Sequence, residues 1–170
     1  MTLARGLTIL VTLAVLGVQL SVCSQWRVAG VVVMLIWLWP VAVGLTGLTS
    51  LAILVGLLAG LLFDAQSATP FGLSALVGML LGYVASRLGR EGVGDLDSAA
   101  LWVTPVIAGV AGLIAPLLYV SSGIFALNFS LWRYGLADAM LVNAVAFFFL
   151  ARPLTRVAQV ITKSAIRVRR

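Results

Sequence analysis

The chain has 170 residues, 62% of them hydrophobic and only 9% charged, with a net charge of +6. Soluble domains carry about 25% charged residues, so a water-soluble core is excluded and nearly all the mass is expected in a bilayer, as one compact helical domain. Continuous rather than alternating apolar runs disfavour a β-barrel.

The positive balance does not argue for nucleic acid. The basic residues sit in short segments flanking apolar runs, the pattern that sets membrane topology and attracts anionic lipid. There is no histidine, and the single cysteine, Cys23, excludes an intrachain disulfide or a multi-cysteine metal site.

The first apolar segment, Leu7–Val22, follows Arg5 and looks like a signal peptide, but no small-x-small cleavage pattern follows it. Leu20-Ser21-Val22-Cys23 puts Val22 where a lipoprotein cleavage box needs a small residue. It reads as an uncleaved helix, with Cys23 a small apolar residue near its end. After a polar connection with an interfacial tryptophan, Trp26, come 36 uncharged residues, Val28–Phe63. A single helix of that length would span about 54 Å against a hydrocarbon core of roughly 30 Å. The chain must turn, and Pro40 with Gly44-Leu45-Thr46-Gly47 marks the place. The second and third helices are expected at about 28–43 and 48–63, with Trp37 and Trp39 in an interfacial belt.

A break at Asp64–Pro70 leads to a fourth helix, Phe71–Leu88. Ala52, Gly56, Gly60 and Asp64 fall on one face of the third helix, and Ser74, Gly78, Gly82 and Ser86 on one face of the fourth. Two facing stripes of small residues let membrane helices approach closely. Asp64 reads as a cap or hairpin brace, accepting bonds from the Ser67–Phe71 backbone or the start of the fourth helix. An ion or substrate ligand is the competing reading, disfavoured because an acid at the interface is far less costly than one at the midplane.

The loop Gly89–Ser98 holds Arg90, Glu91, Asp95 and Asp97, where capping of the next helix outranks metal binding. A fifth helix is expected from Ala99 to about Val120, with Pro105 and Pro116 inside it. The connection Ser121–Gly135 is oddly apolar. The sixth helix is expected at about 136–151, with Asp138 in its first turn, near Arg133, and Asn143 bonding neighbouring helices. The tail Arg152–Arg170 has six basic residues and no acid. Its spacing fits an amphipathic helix on the cytoplasmic leaflet, with Arg152, Arg156, Lys163 and Arg167 toward anionic lipid. The chain thus divides into a transmembrane domain, residues 1–151, and a basic tail, residues 152–170.

Six helices put both termini on one side. With that side cytoplasmic, nine basic residues lie inside, and Arg27 and Arg133 alone lie outside, as the positive-inside rule requires. Asp64 then falls at the outer face. No Walker motif, nucleotide-binding glycine fingerprint or zinc-protease motif is present. With so few ionisable groups at membrane depth, the chain reads as a non-enzyme that needs no cofactor.

Ala59-Gly60-Leu61-Leu62-Phe63-Asp64-Ala65-Gln66-Ser67-Ala68-Thr69-Pro70-Phe71-Gly72-Leu73-Ser74-Ala75-Leu76, followed by Gly82-Tyr83-Val84-Ala85, resembles the rod shape-determining protein MreD family. Its members carry Gly-x-x-x-Asp, a short Ser/Gly/Pro loop, Leu/Phe-Gly, and an apolar helix with an embedded tyrosine. Val33–Pro40 resembles the family's second helix. Leu141-Val142-Asn143-Ala144-Val145, with the phenylalanine-rich stretch and Arg152 after it, resembles its last. The resemblance implies a multi-pass scaffold of the bacterial inner membrane in cell-wall elongation. Its partners would be MreC, a SEDS glycosyltransferase with a class B penicillin-binding protein, and indirectly the actin-like MreB. Its fold would be similar to substrate-binding subunits of energy-coupling-factor (ECF) vitamin transporters. On this reading Gly56, Gly60, Asp64, Pro70, Gly72, Gly78, Gly82, Tyr83 and Asn143 serve helix packing and partner contact.

Two other classes compete with the scaffold. A solute-binding subunit of the ECF type needs a polar and aromatic pocket, for which Trp26, Gln66, Asn128, Arg133 and Tyr134 are a thin set. An intramembrane enzyme or ion carrier would have to be built on Asp64 and Asp138.

Overall fold

A computed structural model of the chain describes residues 2–23, 27–28, 31–66, 71–90, 106 and 129–167, and the side chains of 6–21, 33–66, 71–90, 106, 138 and 140–161. The fold is helical. Helix α1 (Thr2–Val18) ends in a π-helical turn, Gln19–Cys23. Two-residue strands β1 (Arg27–Val28) and β2 (Val31–Val32) pair antiparallel. Helices α2 (Leu35–Gly44), α3 (Thr49–Asp64), α4 (Leu73–Arg90) and α5 (Phe129–Arg167) follow.

The shortest of these helices is the centre of the bundle. Helix α2 touches α1, α3, α4 and α5. Its sequence, Leu-Ile-Trp-Leu-Trp-Pro-Val-Ala-Val-Gly, has no polar face to turn outward, and a helix that is apolar all round is one that is covered all round. Ile36 to Leu45 are buried without a break. Two apolar clusters fill the space around it. One joins Leu16, Trp37, Leu81, Ala85 and Phe147 to Ile36 and Val41. The other joins Val15, Ala52, Val55, Ala158 and Ile161 to Trp39 and Val43.

Several expectations are corrected here. The second helix begins at Leu35 rather than near Val28. β-Branched valines at 28, 31, 32 and 33 favour extended backbone, and residues 27–28 and 31–32 pair as a ladder. Pro40 does not turn the chain. It lies within the first two turns of α2, where only the Ile36 carbonyl is denied its usual donor. The turn is made at Leu45–Gly47, with Gly47 at a φ of 81° that suits a residue without Cβ. Trp37 and Trp39 are buried at 3% and 0% exposure, so they are core residues rather than an interfacial belt.

The last helix is much longer than expected. It starts at Phe129, inside the expected connection, and continues past Pro153 to Arg167. Asp138 is therefore an exposed residue in the helix interior rather than one of its first turn. The boundary expected between 151 and 152 falls inside α5. The basic stretch does not lie apart from the bundle, because Thr155, Ala158 and Ile161 are buried in it. The expected fifth helix (99–120), apart from Val106, and the loop 91–98 lie outside the described residues.

Among the described residues, one stretch is long and apolar enough to cross a membrane, Met140–Ile161 on α5; Gly6–Ser21, Leu35–Gly44 and Thr49–Asp64 are shorter apolar helices.

Candidate functional site: a sealed hairpin and a clasped central helix

Helices α3 and α4 form a hairpin whose two small-residue faces meet. A Cβ placed on Gly56 would strike the carbonyl of Gly78, and one on Gly78 the carbonyl of Gly56. A Cβ on Gly60 would strike the Ala75 backbone, and one on Gly82 would sit 2.6 Å from the Ala52 oxygen. These are backbone-to-backbone approaches that no side chain larger than hydrogen permits. The same face of α4 continues against α2: a Cβ on Gly44 would stand 2.7 Å from the Gly82 oxygen, and one on Gly89 2.5 Å from the Leu45 oxygen. Glycine weakens an isolated helix. Here it is offset by close packing along a whole seam.

Asp64 closes one end of the seam. The first N–H groups of a helix have no intrahelical acceptor, and the residue before α4, Gly72, has no side chain to supply one. The carboxylate of Asp64, carried on α3, supplies it instead. Its Oδ2 accepts from the N–H of Gly72 at 2.9 Å, Ser74 at 3.1 Å and Ala75 at 3.4 Å. An anion at that helix start also meets the positive end of the helix dipole. Gly72 adopts a φ of 96° as it enters α4. Asp64 is 3% exposed, so its carboxylate serves the hairpin from within.

The other end is held by polar side chains of α4. The Arg90 Nε donates to the Gly47 carbonyl at 3.0 Å, and a hydrogen bond links the Ser86 and Thr49 hydroxyls at 3.0 Å. Ser86 also donates to the Tyr83 carbonyl at 2.7 Å.

A second constellation grips the start of α2. Non-helical backbone in an apolar interior leaves N–H and C=O groups that need partners. Two buried amides from distant segments provide them. Asn143 on α5 accepts from the Met34 N–H through Oδ1 at 2.8 Å. Gln19, the first residue of the π-helical turn, accepts from the Ile36 N–H at 3.2 Å and donates to the Val33 carbonyl at 3.1 Å. One turn further along, Trp39 Nε1 donates to Thr12 Oγ1 at 3.0 Å, and Thr12 donates to its own helix at the Thr8 carbonyl, 2.7 Å. Trp37 differs: its Nε1 is buried with no acceptor among the described residues, and its ring lies tilted toward Phe63 at 6.4 Å between centroids.

The structure therefore brings Gly56, Gly60, Asp64, Gly72, Gly78 and Gly82 together at the hairpin and places Asn143 elsewhere, at the entry to α2. Tyr83 is exposed, about 100° around α4 from Gly82. Arg152 and Arg156 are exposed on α5. Pro70 and the side chains of Lys163 and Arg167 lie outside the described residues. Sequence reasoning missed Gln19 and Thr12. The available signal was weak: a lone amide and a lone hydroxyl in an apolar segment must find partners, but nothing local says where. Among the described residues, no three His, Cys, Asp or Glu side chains gather into a set that could hold a metal ion. Asp64 and Asp138 do not form an acid pair either, since one is buried in the hairpin and the other is exposed on α5.

Comparison with protein-family models, with curated proteins and with solved structures found no match.

Proposed function

We propose that the chain is a multi-pass, non-enzymatic membrane scaffold of the bacterial cell-wall elongation machinery, of the MreD type. It would hold the membrane helix of an MreC-like single-span protein and, through it, the SEDS glycosyltransferase with its penicillin-binding protein. The observation that carries the proposal is the division of α4 into two faces. Its glycine face is consumed by α3 and α2. The opposite face presents Leu76, Leu80, Tyr83 and Val84 outward, all substantially exposed. Leu76, Leu80, Tyr83 and Val84 fall on one arc of the helix, an apolar strip that no other described helix covers and whose backbone is held from behind. In a bilayer such a strip suits a partner helix.

The topology belongs to the same reading. Asp64 and Gly72 mark one end of the hairpin and Gly47 and Arg90 the other. With Arg87 and Arg90 at the second end, the positive-inside rule makes it cytoplasmic, and six membrane segments with both termini inside complete the arrangement. The partner surface is then the outer side of α4 rather than the glycine stripes themselves.

The test is co-purification of the MreC-like protein with full-length chain carrying Leu76→Arg/Leu80→Arg, against wild type and against Phe148→Arg on α5. Loss of the partner in the first variant alone, with the melting temperature of the chain retained, is the expected result. Equal recovery from all three removes the docking role of α4. No recovery even with the wild type removes the scaffold reading.

A further inference from the structure

Helix α5 shows two stripes. Asn143, Phe147, Ala151, Thr155 and Ala158 are buried. On the far side, Val145, Phe149, Arg152 and Arg156 lie exposed within one arc. The outward stripe is thus apolar for two turns and then abruptly cationic. Arg152 and Arg156 are four residues apart, so their guanidinium groups are neighbours on the helix surface, and like charges so placed repel. From 139 to 170 the sequence contains no acid, and neither guanidinium has an ion pair among the described residues. The nearest acid on the helix is Asp138, about 21 Å away along the axis at 1.5 Å per residue.

The depth of the pair follows from its neighbours. Helix α5 runs beside α2 in the same direction: Asn143 bonds the Met34 N–H, and Ala158 and Ile161 share a cluster with Val43. Arg152 lies about 13 Å beyond Asn143, while α2 from Leu35 to Gly44 covers about 15 Å. Arg156, two residues before Ala158, is therefore level with the last turn of α2, toward the Arg90 end of the hairpin, and Arg152 lies about one turn deeper. Arginine is suited to this position, because its forked donors bind phosphate oxygens bidentately while its stem lies along apolar surface.

We propose that Arg152 and Arg156 hold the phosphate of an anionic phospholipid whose acyl chain lies along Phe149 and Val145. The charge pattern selects this occupant. A free phosphate has no use for the exposed aromatic and aliphatic residues above the arginines, and a purely apolar partner helix would leave two cations unpaired in its interface. Bound there, one lipid fixes the depth of α5 and thereby that of Asn143, which clasps α2. The inference rests on the membrane-spanning reading of α5 but not on the scaffold or its partner.

The experiment uses full-length protein in a neutral detergent, titrated with phosphatidylglycerol, phosphatidylcholine or inorganic phosphate, with melting temperature and lipid adducts in native mass spectrometry as readouts. Phosphatidylglycerol is expected to raise the melting temperature by about 5 °C and to leave one retained lipid. Both effects should be lost in Arg152→Gln/Arg156→Gln and the affinity weakened roughly tenfold in Phe149→Ala. They should persist in Arg169→Gln/Arg170→Gln, which removes the same charge elsewhere. Equal stabilisation by phosphatidylcholine, equal stabilisation by inorganic phosphate, or equal loss in the two double variants would each overturn the proposal. Carbonate extraction of the source membranes separates the underlying reading: release of the chain sinks the membrane assignment itself, whereas retention without lipid preference sinks this site alone.

Discussion

Gly56 and Gly78 meet backbone to backbone, each occupying the space that the other's Cβ would need. Gly56→Ala or Gly78→Ala must push α3 and α4 apart, and overpacking of this kind costs about 1–3 kcal/mol. At Gly6 and Gly17 on α1 an added Cβ would meet nothing within 4 Å, so Gly6→Ala and Gly17→Ala should be neutral or stabilise by up to about 1 kcal/mol through better helix propensity. Thermal melts of the four variants in one detergent check the contrast. Equal melting temperatures across the set would mean that the seam is not formed as described.

The bond from Gly72 N–H to Asp64 predicts a graded series. Asp64→Ala removes the acceptor for three N–H groups at the start of α4 and should cost about 1–3 kcal/mol. Asp64→Asn keeps one carbonyl oxygen and should lose less. A carboxylate whose task is to close a hairpin gives this order in stability measurements. Asp64→Asn matching Asp64→Ala would show that the negative charge, rather than the acceptor geometry, carries the effect.

At the entry to α2, Asn143→Leu strands the Met34 N–H and Gln19→Leu strands the Ile36 N–H and the Val33 carbonyl. Each should cost about 1–3 kcal/mol, the usual penalty for a polar group left unpaired in an apolar setting. Both amides grip the same short stretch, so the double variant should fall short of the sum of the two singles. Hydrogen exchange at Met34 and Ile36 gives the local readout: protection should drop there and remain at Ala52 and Leu81 in the hairpin.

The two buried tryptophans of α2 offer a matched comparison. Trp39→Phe breaks the bond to Thr12 and leaves that hydroxyl without its donor, an expected loss of about 1 kcal/mol beyond the change in volume. Trp37→Phe removes an Nε1–H that has no acceptor among the described residues and keeps most of the ring's packing. It should therefore cost less than Trp39→Phe, and it should be close to neutral. Chemical denaturation of the two variants under the same conditions decides it.

The hairpin is legible in the sequence because its signal is local. Four-residue spacing of Gly56, Gly60 and Asp64 and of Ser74, Gly78 and Gly82 is a statement about one helix face, and α-helical geometry carries it directly into three dimensions. The short polar break between them leaves few ways for the faces to meet. The role of Asp64 as a brace follows from the same closeness in sequence. By contrast, Trp37 and Trp39 read as interfacial because composition says only that they are amphipathic. Their burial depends on α1, α3, α4 and α5 closing around α2.

What the sequence determined by itself is a helical chain rich in apolar residues, with a glycine-lined hairpin and an acid at its turn, because periodicity and small-residue spacing act within a few turns of backbone. Long-range packing settles which helix is central, how its non-helical entry is satisfied, and which side of α4 the other described helices leave exposed. The clasp joins Met34 to Asn143 across 109 positions. No local pattern encodes such a pairing, because an unpaired N–H in one segment and an amide in another acquire a relationship only when packing removes water from both.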